Sequence, residues 1–265
     1  MVAGAQEGVE IFVQRVSPMV ELKIKNVEKK YTIGKRSVEV MDDVSFTVRR
    51  KEAISIVGPS GCGKTTLIRM IAGLEMPTKG KITHKGKTIT GPTENISMVF
   101  ESFALLPWKT VLENVELALL DRPKEERMKL AREYIDLVGL DGFEESYPRE
   151  LSAGMKQRVG IARAISREPD ILLMDEPFDK LDPLTANNLK TEILRFFHAR
   201  KLKPDALIMI THNIEEAVYM SNRVIVLSKR PTRVVEDIKI SLPKPPDVRS
   251  REFLEYVDRI TSLIT

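Results

Sequence analysis

Two hydrophobic periods divide this chain. Val20-Glu21-Leu22-Lys23-Ile24 and Val44-Ser45-Phe46-Thr47-Val48 alternate apolar and polar residues, the two-residue period of a half-buried strand. Ala53-Ile54-Ser55-Ile56-Val57 is almost continuously apolar, as a strand covered on both faces is. From Met19 to about Ile96 the pattern predicts mostly short strands. They are interrupted by a helix beginning near Lys64 and by a turn at Met76-Pro77-Thr78-Lys79-Gly80. Leu67, Met70, Ile71 and Leu74 would form the buried face of that helix. From about Val111 to Ser166 the spacing becomes helical. Leu130, Tyr134, Leu137 and Val138 fall on one face, and Val159, Ala162 and Ile165 on another. Strands and helices then alternate. The strands are Ile171-Leu172-Leu173-Met174, Ala206-Leu207-Ile208-Met209-Ile210 and Val224-Ile225-Val226-Leu227, and the helices run from Thr185 to Ala199 and onward from Asn213. The stretch from Lys229 to Arg251, rich in proline and charge, is predicted to be extended, with a short closing helix to Leu263. Apolar strands alternating with helices imply an α/β core with a largely parallel sheet. Met1 to Pro18 shows no period and reads as an N-terminal extension.

Composition narrows the classes. A length of 265 residues fits one large domain or two small ones, and 42% hydrophobic residues suffice for a sizeable core. Charges of both signs are interspersed, 42 basic against 38 acidic, so nothing concentrates the basic stripe of a nucleic-acid binder. The single cysteine, Cys62, rules out an intramolecular disulfide and a cysteine zinc cluster, and three histidines argue against a multi-histidine metal site. No run approaches the ~20 apolar residues of a membrane span, and the N-terminus lacks a signal-peptide pattern. A soluble protein of a reducing compartment is expected.

The candidate chemistry starts at Gly58-Pro59-Ser60-Gly61-Cys62-Gly63-Lys64-Thr65-Thr66, which fits G-x-x-x-x-G-K-[ST] between a strand and a helix. Glycines let the backbone wrap a phosphate, while inward N–H groups and the helix N-terminus supply positive potential. Lys64 would serve the β- and γ-phosphates of a bound nucleotide, and the Thr65 hydroxyl would serve Mg²⁺. Cys62 reads as a small residue that fits rather than a reactive thiol. Further on, the strand 171–174 ends in Asp175-Glu176-Pro177, where α/β sheets bind ligands. Asp175 is placed to hold Mg²⁺ through its water shell and Glu176 to polarise an attacking water.

Between the two lies Leu151-Ser152-Ala153-Gly154-Met155-Lys156-Gln157-Arg158, with Ser152 as a helix N-cap. Here the chain resembles the ATP-binding cassette (ABC) family, whose signature is L-S-G-G-Q or a close variant. The resemblance runs from about Val20 to the C-terminus. It implies a P-loop NTPase core with a mostly parallel sheet, an antiparallel β-subdomain and an inserted helical subdomain at about 101–166, together making one nucleotide-binding domain over 19–265. It implies further that Ser152 and Gly154 reach ATP bound to a second, head-to-tail copy. Tyr31 stacks on adenine, His212 contacts the γ-phosphate, and Asp182 lies in the loop linking the two active sites. Glu176, His212 and Lys64 are thus the expected catalytic residues, and Thr65, Glu101 and Asp175 the expected metal ligands.

Three departures stand out. Glu101 occupies the position of an expected glutamine, losing an amide donor and adding a negative charge near the γ-phosphate. Ala153 replaces a glycine, and Asp179-Lys180 replaces small residues before Leu181-Asp182. Leu105-Leu106-Pro107-Trp108, Val111-Leu112-Glu113-Asn114-Val115 and the tail Arg230-Pro231-Thr232-Arg233-Val234-Val235-Glu236 look like importer ATPases for nitrate, sulfonate, taurine and related solutes. That branch implies permease subunits as partners, indirectly a solute-binding protein, and a peripheral place on the cytoplasmic face of the membrane. Trp108 would meet a permease helix or belong to the core. A soluble ABC ATPase uncoupled from transport is the alternative. A repair-type coiled coil does not fit, since Leu151 follows Thr66 by only 85 positions. An unrelated P-loop kinase or GTPase is disfavoured by the signature and His212.

Overall fold

The first alternating segments pair with each other. In a computed structural model of the chain, which describes residues 20–34, 36–198 and 203–264, β1 (Val20–Ile33) and β2 (Arg36–Arg49) form an antiparallel hairpin. After β3 (Glu52–Val57), β4 (Lys79–His84) and the short β5 (Lys87–Thr88) complete a four-stranded sheet of order β2-β1-β4-β5. The hairpin strands have 14 residues each, longer than the pattern predicts. Register shifts at Ile24/Val27 and Val27/Lys29 break the two-residue period, so the polar run Glu28-Lys29-Lys30 does not read as strand in the sequence. The predicted extension at 1–18 and the helix end at Ala199 lie outside the described residues.

The second sheet carries β6 (Ile96–Val99), β7 (Ile171–Asp175), β8 (Ala206–Ile210), β9 (Arg223–Leu227) and β10 (Val234–Lys239) in the order β10-β9-β3-β8-β7-β6. All pairings are parallel except β10 on β9. Every residue of β7, β8 and β9 is buried, which is why those strands read as unbroken apolar runs. β10 emerges from the stretch expected to be extended.

The helices follow the predicted order with local corrections. α1 (Lys64–Ile71) follows β3 and stops before Leu74, which is half exposed rather than on the buried face. Gly73 turns left-handed (φ +74), and a Cβ there would lie 2.2 Å from the Gly91 carbonyl oxygen, so the helix cannot continue. Between β6 and β7 run α2 (Val111–Glu116), α3 (Lys124–Leu137) and α4 (Ala153–Ile165). The fully buried residues of α3 are Ala131 and Ile135, with Leu130, Tyr134 and Leu137 flanking them. Val138, on the predicted face, is buried just past the helix end, so the inward stripe combines part of the predicted face with its neighbours Ala131 and Ile135. α5 (Pro183–His198) and α6 (Ile214–Met220) follow β7 and β8, and α7 (Arg251–Ile264) ends the fold. One core lies between the two sheets and α1, a second joins α2–α5 to the opposite face of the parallel sheet, and a third gathers α6 and α7 on β9 and β10.

Candidate active site

β3 delivers the chain to the carboxyl edge of the parallel sheet, where residues 58–66 turn into α1. Gly61 and Gly63 both adopt positive φ (71 and 113), and a Cβ on Gly63 would sit 2.7 Å from Val40 Cγ1. A Cβ on Gly58 would lie 2.8 Å from the Leu227 carbonyl oxygen, so this turn is closely packed from two sides. Lys64 is buried, and its ammonium donates to the carbonyls of Gly58 (2.8 Å) and Pro59 (3.2 Å), curling over the loop that carries it. Cys62 is also buried, and burial pushes its thiol up, away from reactivity. The Cys62 carbonyl accepts from the buried Thr232 hydroxyl. Thr232 also donates its amide to Val40 (2.9 Å) and accepts from the Asp42 amide (3.0 Å). The segment after β9 thereby floors the loop from about 170 positions away.

Above the loop opens a cavity of about 400 Å³, lined by residues between Ser60 and Thr66 and by Glu176, His212 and Arg230. The sheet brings these together because adjacent strands end in step: Ile56 and Asp175 both pair with Ile210. Glu176, one residue past β7, holds a left-handed backbone (φ 46), costly for a non-glycine residue and anchored by its amide bonding to the Ile210 carbonyl at 3.0 Å. Its carboxylate lies 2.6 Å from His212 Nδ1, while His212 Nε2 is 3.5 Å from Asp179. The hydrogen bond to Glu176 raises the imidazole pKa, against the opposing effect of desolvation.

Asp175 ends β7 almost completely buried, and its Oδ1 has no hydrogen-bond partner. Burial, then the charges of Glu176 and Glu101, push its carboxyl up to about 6, against the pull of Arg69 and Lys64. A buried carboxylate oxygen without a partner, acted on by the charges of Glu176 and Glu101, is a group that a divalent cation would satisfy. The same group opposes folding of the nucleotide-free chain. Its folded pKa exceeds the unfolded value of 3.8, so stability is lost as pH rises from about 4 to about 6 and stays lost above. Asp175→Asn is therefore expected to stabilise the nucleotide-free protein by about 1–3 kcal/mol at pH 8, with the gain vanishing toward pH 4. Thermal melts across that pH range check it, and a flat profile contradicts it.

The remaining predicted residues lie outside this cavity. Ser152 caps α4, its Oγ accepting from the Met155 amide at 3.2 Å. Ala153 opens α4 in helical conformation, so the glycine it replaces is not needed for a positive φ. A Cβ on Gly154 would lie 2.4 Å from Thr185 Cγ2, so the helix tip packs tightly on α5. Asp182 accepts from the Thr185 amide (3.0 Å), and hydrogen bonding from the Thr185 side chain, then from this amide, lowers its carboxyl pKa. The Tyr31 hydroxyl donates to Glu75, with the ring partly buried against the first core. Trp108 is 69% exposed, which excludes the core reading. Glu101 forms an ion pair with Lys180 at 3.3 Å. Sequence reasoning missed Arg230 and Thr232 as parts of the cradle, although both fall in the tail segment it singled out for another reason.

The sequence profile of the ABC transporter family matches residues 41–179. An aliphatic sulfonates import ATP-binding protein of Bacillus cereus is 39% identical, covering 90% of this chain and 94% of its own. A nitrate import ATP-binding protein of Synechocystis is 42% identical, covering 88% and 91%. Among solved structures, a dimeric post-hydrolysis state of an ATP-binding cassette bound to ADP and Pi superposes with a TM-score of 0.73 at 31% identity, over 83% of this chain and 98% of that one.

Proposed function

Because this chain belongs to the ABC transporter family and is an ATPase of it, we propose that it powers an importer of nitrate, sulfonates or taurine-like solutes. The names of the two import proteins support the solute class, since this subunit would not itself touch the solute.

The site residues divide the work. Amides of residues 58–66 and the Lys64 ammonium bind the β- and γ-phosphates. Tyr31 stacks on the adenine. Thr65, Asp175 and Glu101 would hold Mg²⁺, which supplies charge neutralisation for the phosphates when bound. Glu176 orients a water and accepts its proton as the water oxygen bonds to the γ-phosphorus and the bond to ADP breaks, leaving ADP and phosphate. His212 donates to the γ-phosphate, which requires it to leave its bond with Glu176. Ser152 and Gly154 of a second, head-to-tail copy cap the same phosphate, and Asp182 joins the two sites. The dimeric cassette structure bound to ADP and Pi supports the pairing of two copies. Helices within about 101–166, with exposed Trp108 at their edge, would transmit closure to permease subunits on the cytoplasmic face of the membrane, fed by a solute-binding protein.

The observation that carries the reading is the meeting of the phosphate loop with Glu176 and His212 in one cavity. Co-expression with a candidate importer permease from the same organism is the test. The two are expected to co-purify, with ATP hydrolysis stimulated by the solute-loaded binding protein. Failure to bind the permease, with hydrolysis intact, would instead favour a soluble ATPase.

A further inference from the structure

We infer that Lys180 is a positioning residue for Glu101, and that this ion pair sets how strongly nucleotide binding depends on Mg²⁺. The inference rests on the reading of the cavity as the ATP site. Glu101 follows β6 and Lys180 follows β7, neighbouring parallel strands whose ends pair as Val99 with Met174, so the two loops emerge side by side. The Lys180 ammonium lies 3.3 Å from Glu101 Oε1 and 6.0 Å from the centre of the Phe103 ring, two anchors on one loop. That loop is itself fixed. Phe103 and Ala104 are consecutive non-glycine residues at positive φ (62 and 48), and Arg163 of α4 donates to both their carbonyls, at 3.1 and 2.7 Å. Backbone geometry thus sets where Glu101 starts, and Lys180 sets where its half-exposed side chain points.

The location makes the pair more than a surface ion pair. Two half-exposed partners contribute little to stability. Their electrostatic consequence is larger, because Glu101 is among the charges that act on buried Asp175. Without a counter-charge, the Glu101 carboxylate, outside the cavity, would add its negative charge to those of Asp175 and Glu176 beside a polyanionic nucleotide. Lys180 neutralises the one that stands where the family resemblance leads a glutamine to be expected. It thereby makes the carboxylate tolerable before a metal arrives, and the metal must compete with the ammonium for Glu101.

The test is a double-mutant cycle read by binding, not turnover. Affinity for adenylyl imidodiphosphate is measured by calorimetry in EDTA and in saturating Mg²⁺ for the wild type, Lys180→Ala, Glu101→Gln and the double variant. Lys180→Ala is expected to weaken metal-free binding by roughly three- to tenfold and to enlarge the gain from Mg²⁺ by a similar factor. Lys180→Arg should preserve wild-type values. In the Glu101→Gln background, Lys180→Ala should change neither affinity. An equal effect of Lys180→Ala in both backgrounds, or none in either, overturns the inference while leaving the ATP site standing. A wild type that binds no analogue in either condition overturns both.

Discussion

Glu176→Gln is expected to slow ATP hydrolysis by about 10²–10⁴-fold while nucleotide binding survives. The reason is local. Glutamine keeps the length of the side chain and its acceptor oxygen, so the contact with His212 at 2.6 Å and the left-handed backbone at φ 46 can both persist. What it loses is the ability to take a proton. The binding groups, by contrast, belong to residues 58–66 and do not depend on Glu176. With hydrolysis blocked and binding intact, MgATP should accumulate in a closed pair of chains. Size-exclusion chromatography with light scattering reads this directly: monomer in ADP, dimer in MgATP. Hydrolysis at the parental rate would remove Glu176 from the role of base.

Lys64→Ala should abolish tight nucleotide binding, with a loss of about 10²-fold or more in ATP affinity, the scale of removing charge-assisted contacts from a partly buried site. The ammonium is already desolvated and held by two carbonyls of its own loop, at 2.8 and 3.2 Å. It is therefore ordered before any phosphate arrives, and binding forfeits little side-chain freedom. Its removal also leaves the Gly58 and Pro59 carbonyls crowded without a donor, so negative potential replaces positive at the phosphate position. Fluorescent-nucleotide titration measures the loss. Near-parental affinity would mean that the backbone amides alone hold the phosphates.

These two residues were legible because their signals are compact. A strand, a glycine turn and a helix succeed one another within the span 53–71, and Asp175-Glu176 directly follows an apolar strand. The parallel strands were legible for the same reason, since burial on both faces leaves an unmistakable apolar run. The long β1–β2 hairpin was not, because shifts in its register scramble the alternation around Val27. Leu74 misled, since helical spacing continues in the letters past a glycine that ends the helix in space. The Lys180–Glu101 contact was invisible in another way. Each residue registered separately as an anomaly, and only the adjacency of β6 and β7 makes them a pair. Arg230 and Thr232 escaped because long-range contacts leave no periodic mark.

Thr232 has a consequence for the order of events in the cell. A ribosome that has just translated Thr66 has made every letter of the nucleotide-binding turn, yet Thr232, whose hydroxyl holds the Cys62 carbonyl, lies more than 160 positions further on. A polypeptide halted at Leu227 would carry the turn without its brace. The brace on the loop is thus formed only once the segment after β9 has been made.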